Sequence, residues 1–449
     1  MQYVLNSPLY FSLNAISIAA SFAFGASLAQ AQNLTELYQA ASTYDATFQA
    51  ARSQYEANLA RAEQAKAGLL PTVGVTANLG GSNVDVIKPV ANNGRTFGSQ
   101  SAAINASQPL YRPANRATAA QGELQATQAK SALITAEQDL IIRVTQAYFD
   151  VLASQDSLAF VKAQKTAVAE QLAAAKRNFE VGTSTITDTR EAQARFDLVI
   201  AQEIAAENDL RVKRIALDQL VGKSGVAPKA LALPVKLPDV LPADVNIWVT
   251  QSQENHPSIK AAELAVDIAK LETEKAQAGE KPTIDLTGSY GLSYGSGSAS
   301  SRANSESRSA TIGVALNYPL FAGYAIQNRI KETLQLEDRS RNDLEAAKRS
   351  IAQATRTAYF GVLSGLGQAK ALEAAEASSQ SALDANKLGY QVGVRINIDV
   401  LNSQSQLFQT KRDLAKARYD VLVGGLRLRQ ANGTLKAEDL NPVNALLAR

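Results

Sequence analysis

Tyr390-Gln391-Val392-Gly393-Val394-Arg395-Ile396-Asn397-Ile398-Asp399-Val400-Leu401-Asn402 separates two helical runs, one ending near Leu388 and the next starting near Asp399. Phe179-Glu180-Val181-Gly182-Thr183-Ser184-Thr185-Ile186-Thr187-Asp188-Thr189-Arg190 does the same 211 residues earlier. At that spacing Glu63 matches Glu274, Pro71 matches Pro282, Tyr148-Phe149 matches Tyr359-Phe360, and Gly222 matches Gly433. The offset slips by one at Pro109-Leu110 against Pro319-Leu320 and then returns. Self-similarity at a fixed offset marks two copies of one structural unit. The copies span residues 32–227 and 244–440, joined by a Pro-rich linker, 228–243, with 441–449 as a C-terminal tail.

Each half has the same order. A helical run of Leu34 to Leu69 precedes a strand–loop–strand segment from Thr72 to about Gln108. A very long helical run, Pro113 to Phe179, leads to the Val-Gly turn. A further helix follows from Asp188 to Val221. The second copy starts its pieces near Pro257, Thr283, Gly323 and Asp399. In the long run Leu133, Leu140, Val144, Ala147, Val151, Leu158, Val161, Lys165, Val168, Leu172, Ala175 and Phe179 recur at steps of three, four and seven. That is the repeat of a coiled coil. At about 1.5 Å per residue the rod is roughly 100 Å long, beyond the reach of an ordinary globular domain.

The strands read differently. Ile284, Leu286, Tyr290, Leu292 and Tyr294 alternate with Thr283, Asp285, Thr287, Ser289 and Ser293. Ile312, Val314, Leu316 and Tyr318 alternate with Thr311, Gly313 and Asn317; Val73, Val75 and Leu79 alternate with Thr72, Gly74 and Asn78; Ala102, Ile104 and Ala106 form a shorter fourth case. A soluble sandwich alternates in the same way. Segments of about ten residues, with Thr/Ser/Gly/Asn on one face and Tyr near the ends, match strands of a membrane barrel. Four strands cannot close a barrel, and open edges in lipid are not viable, so several subunits must share one. Eight, twelve or sixteen strands would satisfy that rule.

Composition narrows the class. Aromatics are 6%, Trp and Met occur once each, and the net charge is +3, which leaves no nucleic-acid footprint. With no Cys, disulfides, thiol nucleophiles and lipid-modified N-terminal cysteines are excluded. Residues 1–31 read as a signal peptide ending in Ala29-Gln30-Ala31, although no Lys or Arg occurs before Arg52. The single His256, before Pro257, reads as structural, and Trp248 as packing near the linker. No cofactor, metal or nucleotide motif is present, and no Ser/His/Asp or paired-acid arrangement suggests an enzyme.

The duplicated plan, the strand ends Gln108-Pro-Leu-Tyr111 and Tyr318-Pro-Leu-Phe321, and Tyr390-Gln-Val-Gly393 together resemble the TolC family of outer-membrane channel proteins over residues 32–440. The resemblance implies an α+β membrane protein. Three subunits of four strands each would form a trimeric 12-stranded transmembrane β-barrel continuous with a periplasmic α-helical coiled-coil tunnel. It implies an exit duct for secreted proteins or drugs, fed by a periplasmic adaptor and an inner-membrane ABC or RND transporter. A pore-free periplasmic coiled-coil scaffold is the competing reading.

The resemblance also assigns residues. Tyr390 would bond Asp188 and Arg395 would reach Thr187, closing a periplasmic gate. Asp399 would form a carboxylate ring inside it, with Asn402 where the family often carries a second Asp. Val181-Gly182 and Val392-Gly393 would be hairpin tips that receive the adaptor. On the residues alone, Asp188 and Asp399 are helix N-caps and Arg395 is a solvated turn residue.

Overall fold

The computed structural model describes residues 32–85, 95–232, 234–298, 301 and 303–448. The signal peptide expected over 1–31 and parts of the two inter-strand loops lie outside them.

The first copy comprises α1 (Leu34–Tyr44), α2 (Ala46–Ala67), β1 (Thr72–Val84), β2 (Arg95–Tyr111), α3 (Pro113–Glu180) and α4 (Ile186–Val221). The second comprises α5 (Val245–Asn255), α6 (Pro257–Ala278), β3 (Thr283–Gly295), β4 (Ser305–Asn317), α7 (Ala325–Gln391) and α8 (Asn397–Ala431), followed by α9 (Leu440–Asn444). The long helix α3 is uninterrupted over 68 residues, and α7 over 67. Helix α3 lies against α4, and α7 against α8, as two hairpins; α3 also packs on α8 and joins them.

The single run expected over Leu34–Leu69 is two helices. Asp45 breaks it, because its extended backbone turns its carboxylate back to accept from the Phe48 amide at 2.9 Å. Arg143 on α3 fixes that carboxylate with two bonds of 3.0 and 2.7 Å. His256 occupies the matching break between α5 and α6. Helix α5 precedes the helical start expected near Pro257, at the beginning of the second copy. Its Trp248 donates to the Pro242 carbonyl at 2.8 Å, which makes it the anchor of the linker's end.

Helix α4 ends at Gly222 (φ +72°), where a Cβ would fall 2.4 Å from the Tyr44 ring at the α1–α2 break. Helix α8 is followed by Gly433 (φ +80°), where a Cβ would fall 2.4 Å from the His256 backbone. Only glycine permits both that backbone and that approach. The C-terminal end of α4 therefore abuts the α1–α2 break, and that of α8 abuts the α5–α6 break.

The strands form one antiparallel sheet in the order β1-β2-β3-β4. The expected short fourth strand, β2, is the longest at 17 residues. Pairing on both its sides extends it through Ser99, Gln100 and Ser101, where no apolar alternation advertises a strand. Register aligns Val75, Ile104, Tyr290 and Ala310 across all four strands on one face. One residue on, Thr76, Ala103, Gly291 and Ser309 align on the other. Directly paired residues share a face, so in the rows from Thr72 to Thr76 and their partners one surface is apolar and the other small or polar, while Gln100, Glu306 and Arg308 join the apolar face toward the loop end. On the apolar surface Leu79 is 83% and Ile312 80% exposed, which water would not tolerate as a continuous face. Among the described residues the outer edges of β1 and β4 pair with nothing. No described helix is long and apolar enough to cross a membrane.

The main core lies at mid-height. Leu34, Leu37, Leu140, Val144, Tyr148 and Phe149 meet Tyr419, Leu422 and Leu426 there, together with Leu440 and Leu447 from the C-terminal segment. The stretch expected as a plain tail packs into this belt, with Leu447 bridging to Leu231 of the linker.

Candidate functional site

Both helical hairpins end in the same turn. The amides of Val181 and Gly182 bond the carbonyls of Arg177 and Phe179; those of Val392 and Gly393 bond Leu388 and Tyr390. Gly182 and Gly393 both sit at φ +79°, the left-handed geometry that closes a helix end, and neither has a neighbour within 4 Å of a Cβ. Val181 and Val392 are exposed beside them, as are Val394 and Ile396. The two tips thus present small, apolar, open surfaces.

Helix α4 starts with a reciprocal cap. Thr185 accepts from the Asp188 amide, and the Asp188 carboxylate accepts from the Thr185 amide at 3.0 Å and hydroxyl at 2.8 Å. Ser184 donates to it as well, at 2.7 Å. Burial raises the Asp188 pKa, but these three hydrogen bonds outweigh it and hold the carboxyl below its usual value. Asp188 is therefore the third residue of the helix, not its cap. The Thr185-x-x-Asp188 spacing carried that signal. Thr187 stands exposed beside it.

The expected Tyr390–Asp188 bond is not made within the chain. Tyr390 Oη instead accepts from Asn178 Nδ2 at 3.2 Å, and its ring packs beside Leu383, Val400 and Leu407. Arg395 does not reach Thr187; it lies 3.7 Å from Asp399, one helical turn along, with both side chains partly exposed. Asn402 is drawn to the other hairpin, where its Oδ1 accepts from Arg195 at 2.8 Å. Helix α8 has no side-chain cap at Ile396. Asn397 behind it is fully buried, and it receives Gln171 Nε2 and donates to the Asp188 carbonyl at 3.2 Å. Asn178, Gln171, Arg195 and Asn397 were missed because only the fold brings their helices together.

At the far end the sheet's polar face curves around a concavity of about 580 Å³ lined by Thr72, Thr76, Asn105, Thr287, Ser289 and Thr311. Its polar side chains are hydroxyls and the one amide of Asn105. The one carboxylate on this face near the helices, Asp285, is held by Arg112 with two bonds of 2.7 and 2.6 Å. That fork pins the start of α3 to β3 and cancels the charge at the junction.

The family profile described as "Outer membrane efflux protein" matches residues 37–223 and again 248–434. The chain is 34% identical over 418 residues to the outer membrane protein TolC of Vibrio cholerae, covering 92% of this chain and 94% of that protein. It is 30% identical over 423 residues to the alkaline protease secretion protein AprF of Pseudomonas aeruginosa, covering 92% and 87%. The fold matches the crystal structure of the outer membrane protein VceC from Vibrio cholerae with a TM-score of 0.77 at 17% identity, over 89% of this chain and 96% of that one. The two-copy plan, the one-sided sheet and these likenesses agree with the expected family: the chain belongs to the outer membrane efflux protein family.

Proposed function

We propose that the protein is the outer-membrane exit duct of a tripartite export system. Secreted polypeptides or small toxic compounds pass through it after an inner-membrane ABC or RND transporter and a periplasmic adaptor deliver them. The observation that carries this reading is the four-stranded sheet, apolar on one face and hydroxyl-lined on the other, with both edges unpaired. Three copies would close it into a 12-stranded barrel, apolar toward lipid and wet within. The helices continue that bore as a tunnel through the periplasm, and passage needs no bond chemistry. The relatives are outer-membrane and secretion proteins, which supports passage over catalysis.

The duplication supports ring closure. Within the chain, Phe149 and Leu152 of α3 pack into the core with Tyr419, Val423 and Leu426 of α8. The counterparts of Phe149, Leu152, Val423 and Leu426 at 211 positions, Phe360 and Leu363 on α7 and Val212 and Ile215 on α4, are exposed, and Tyr419 is matched by Asn208. The α7 flank of one subunit then meets the α4 flank of the next in the manner of the internal α3–α8 joint. A head-to-tail contact of this kind closes into a ring when its rotation is one third of a turn.

At the tips, Thr187, Asp188, Tyr390 and Arg395 form the periplasmic gate. Asp399 and Asn402 line the constriction, and Val181, Gly182, Val392 and Gly393 receive the adaptor. Rearrangement of the hairpins exchanges the partners of Tyr390 and Arg395 as the entrance opens and closes. The test is to extract the full chain in mild detergent and record it in planar bilayers. Trimers that conduct are expected; monomers that extract without detergent and pass no ions would establish the pore-free scaffold instead. Deletion should cause drug sensitivity or loss of a secreted polypeptide.

A further inference from the structure

We infer that Glu332 of each subunit pairs with Arg61 of the next, so that a chain of polar bonds within the subunit continues across every joint of the ring near the sheet end of the rods. This rests on the reading of the chain as a closed ring and names the residues that select the neighbour. The chain of bonds starts on α3, where Gln121 Nε2 donates to Glu272 of α6 at 3.0 Å. Glu272 meets Arg329 of α7 at 2.7 Å, and Arg329 meets Glu332 at 2.8 Å. There it ends at the flank of the subunit, with the Glu332 side chain 55% exposed.

Helix α2 supplies the opposite flank. Helix α6 is held between α3 and α7, whereas α2 has α3 on one side and no long helix packed on the other. Ala261, Ile268 and Glu272 of α6 are partly covered, but their counterparts 211 residues earlier, Ala50, Ala57 and Arg61 of α2, are exposed. Steps of seven and four place those three on one stripe of the helix. Two of them are alanines, which let another helix approach closely. Among the described residues Arg61 pairs with no carboxylate; its guanidinium reaches only Asn58 Oδ1, at 3.5 Å.

The duplication sets the register. Helices α3 and α7 run unbroken, and α2 and α6 each have 22 residues, so the internal α3–α6 joint maps onto an α7–α2 joint without a shift. Gln121 against Glu272 becomes Glu332 against Arg61. Gln128, which donates to the Ala261 carbonyl at 3.0 Å, becomes Arg339 against Ala50. An amide–carboxylate contact inside the subunit is thus replaced by opposite charges between subunits. The same change rejects the wrong helix, because Glu332 set against Glu272 would bring two carboxylates together. The flank of α7 accordingly takes α2 of a second copy.

The test uses the full chain in mild detergent, with Arg61→Glu, Glu332→Arg and the double exchange, beside Phe360→Ala as a control on the ring itself. Each single reversal sets like charges against each other in three joints. Trimer dissociation on heat-modifiable gels should rise about tenfold, a roughly twofold penalty compounded three times. The effect should fade at about 1 M salt, where the Debye length is only about 3 Å. The double exchange should hold together better than either single variant. If Phe360→Ala loosens the trimer while the reversals do not, or if the losses of the two reversals simply add, the pair is overturned and the ring survives. If the wild-type chain is monomeric, the ring reading fails and takes the pair with it. Because the chain has no cysteine, Arg61→Cys with Glu332→Cys gives a second readout. A short thiol cross-linker should yield covalent trimers that survive boiling. Glu63→Cys with Glu332→Cys should not, since Glu274, the counterpart of Glu63, stays exposed on α6 even with helices on both sides. Equal yields from the two cysteine pairs, or adducts of Arg61→Cys with another envelope protein in place of its own copies, would overturn the inference.

Discussion

Tyr148 and Tyr359, 211 residues apart, clasp the two ends of the linker: Tyr148 Oη donates to the Lys229 carbonyl at 2.9 Å, and Tyr359 Oη donates to the Ala243 carbonyl. Both rings are buried. Tyr148→Phe and Tyr359→Phe should each destabilise the subunit by about 1–3 kcal/mol, since each leaves a linker carbonyl without its partner. Denaturant midpoints of the two variants measure this. The linker holds none of the residues proposed for the entrance or the sheet, so single-channel conductance should stay at the wild-type value.

The neighbours of these tyrosines should behave differently from each other. Phe149 is buried and stacks on Tyr419 with centroids 5.4 Å apart, whereas Phe360 is exposed on α7. Phe149→Ala should cost about 3–5 kcal/mol of subunit stability, as for other large core truncations. Phe360→Ala should leave the subunit folded but weaken the oligomer. Heat-modifiable gel migration separates the two outcomes.

His256 caps α6 by accepting from the Ser258 amide at Nδ1, 3.1 Å away. Burial holds the imidazole below its ordinary value of 6.5. A depressed folded value means the cap's contribution is complete above pH 6.5 and is lost as pH falls through the folded value. Protonation removes the acceptor. Thermal midpoints should therefore show an acid-side decline that His256→Asp, the residue type at the matching Asp45 cap, shifts to lower pH. As the chain's only histidine, its titration is readable directly by NMR.

Glu272 gives a second, lower window. Burial raises its pKa, but bonds from Gln121, Lys275 and Arg329 prevail and bring it down from 4.5 to about 2. Its tie between α3, α6 and α7 is intact above pH 4.5 and fades as pH falls toward 2. Glu272→Gln should remove that part of the acid dependence while sparing the His256 step.

Arg395 beside Asp399 tempers the carboxylate ring proposed at the entrance. Arg395→Ala should strengthen inhibition by multivalent cations, and Asp399→Ala should abolish it. Planar-bilayer recordings with equal sensitivity in wild type and Asp399→Ala would remove the ring from the account.

Repetition and periodicity made much of this architecture legible. The 211-residue offset, the heptad steps from Leu140 to Ala175 and the period-two strands each depend on local spacing, and spacing survives in a one-dimensional string. The glycines at 182 and 393 were readable for the same reason, because a left-handed turn is a local demand. What spacing could not supply was any contact between elements far apart in the chain. The break at Asp45 depends on Arg143, the length of β2 on pairing with both β1 and β3, and the actual partners of Tyr390 and Arg395 on how the helices rotate about their axes. Asn397 shows the division most clearly. By itself it is a polar residue at a helix start; only packing of α3, α4 and α8 buries it and gives both ends of its amide a partner. Sequence determined the repeat, the rods and the two-faced sheet through local geometry, and tertiary structure decided which polar groups meet, because hydrogen-bond partners are selected by three-dimensional proximity.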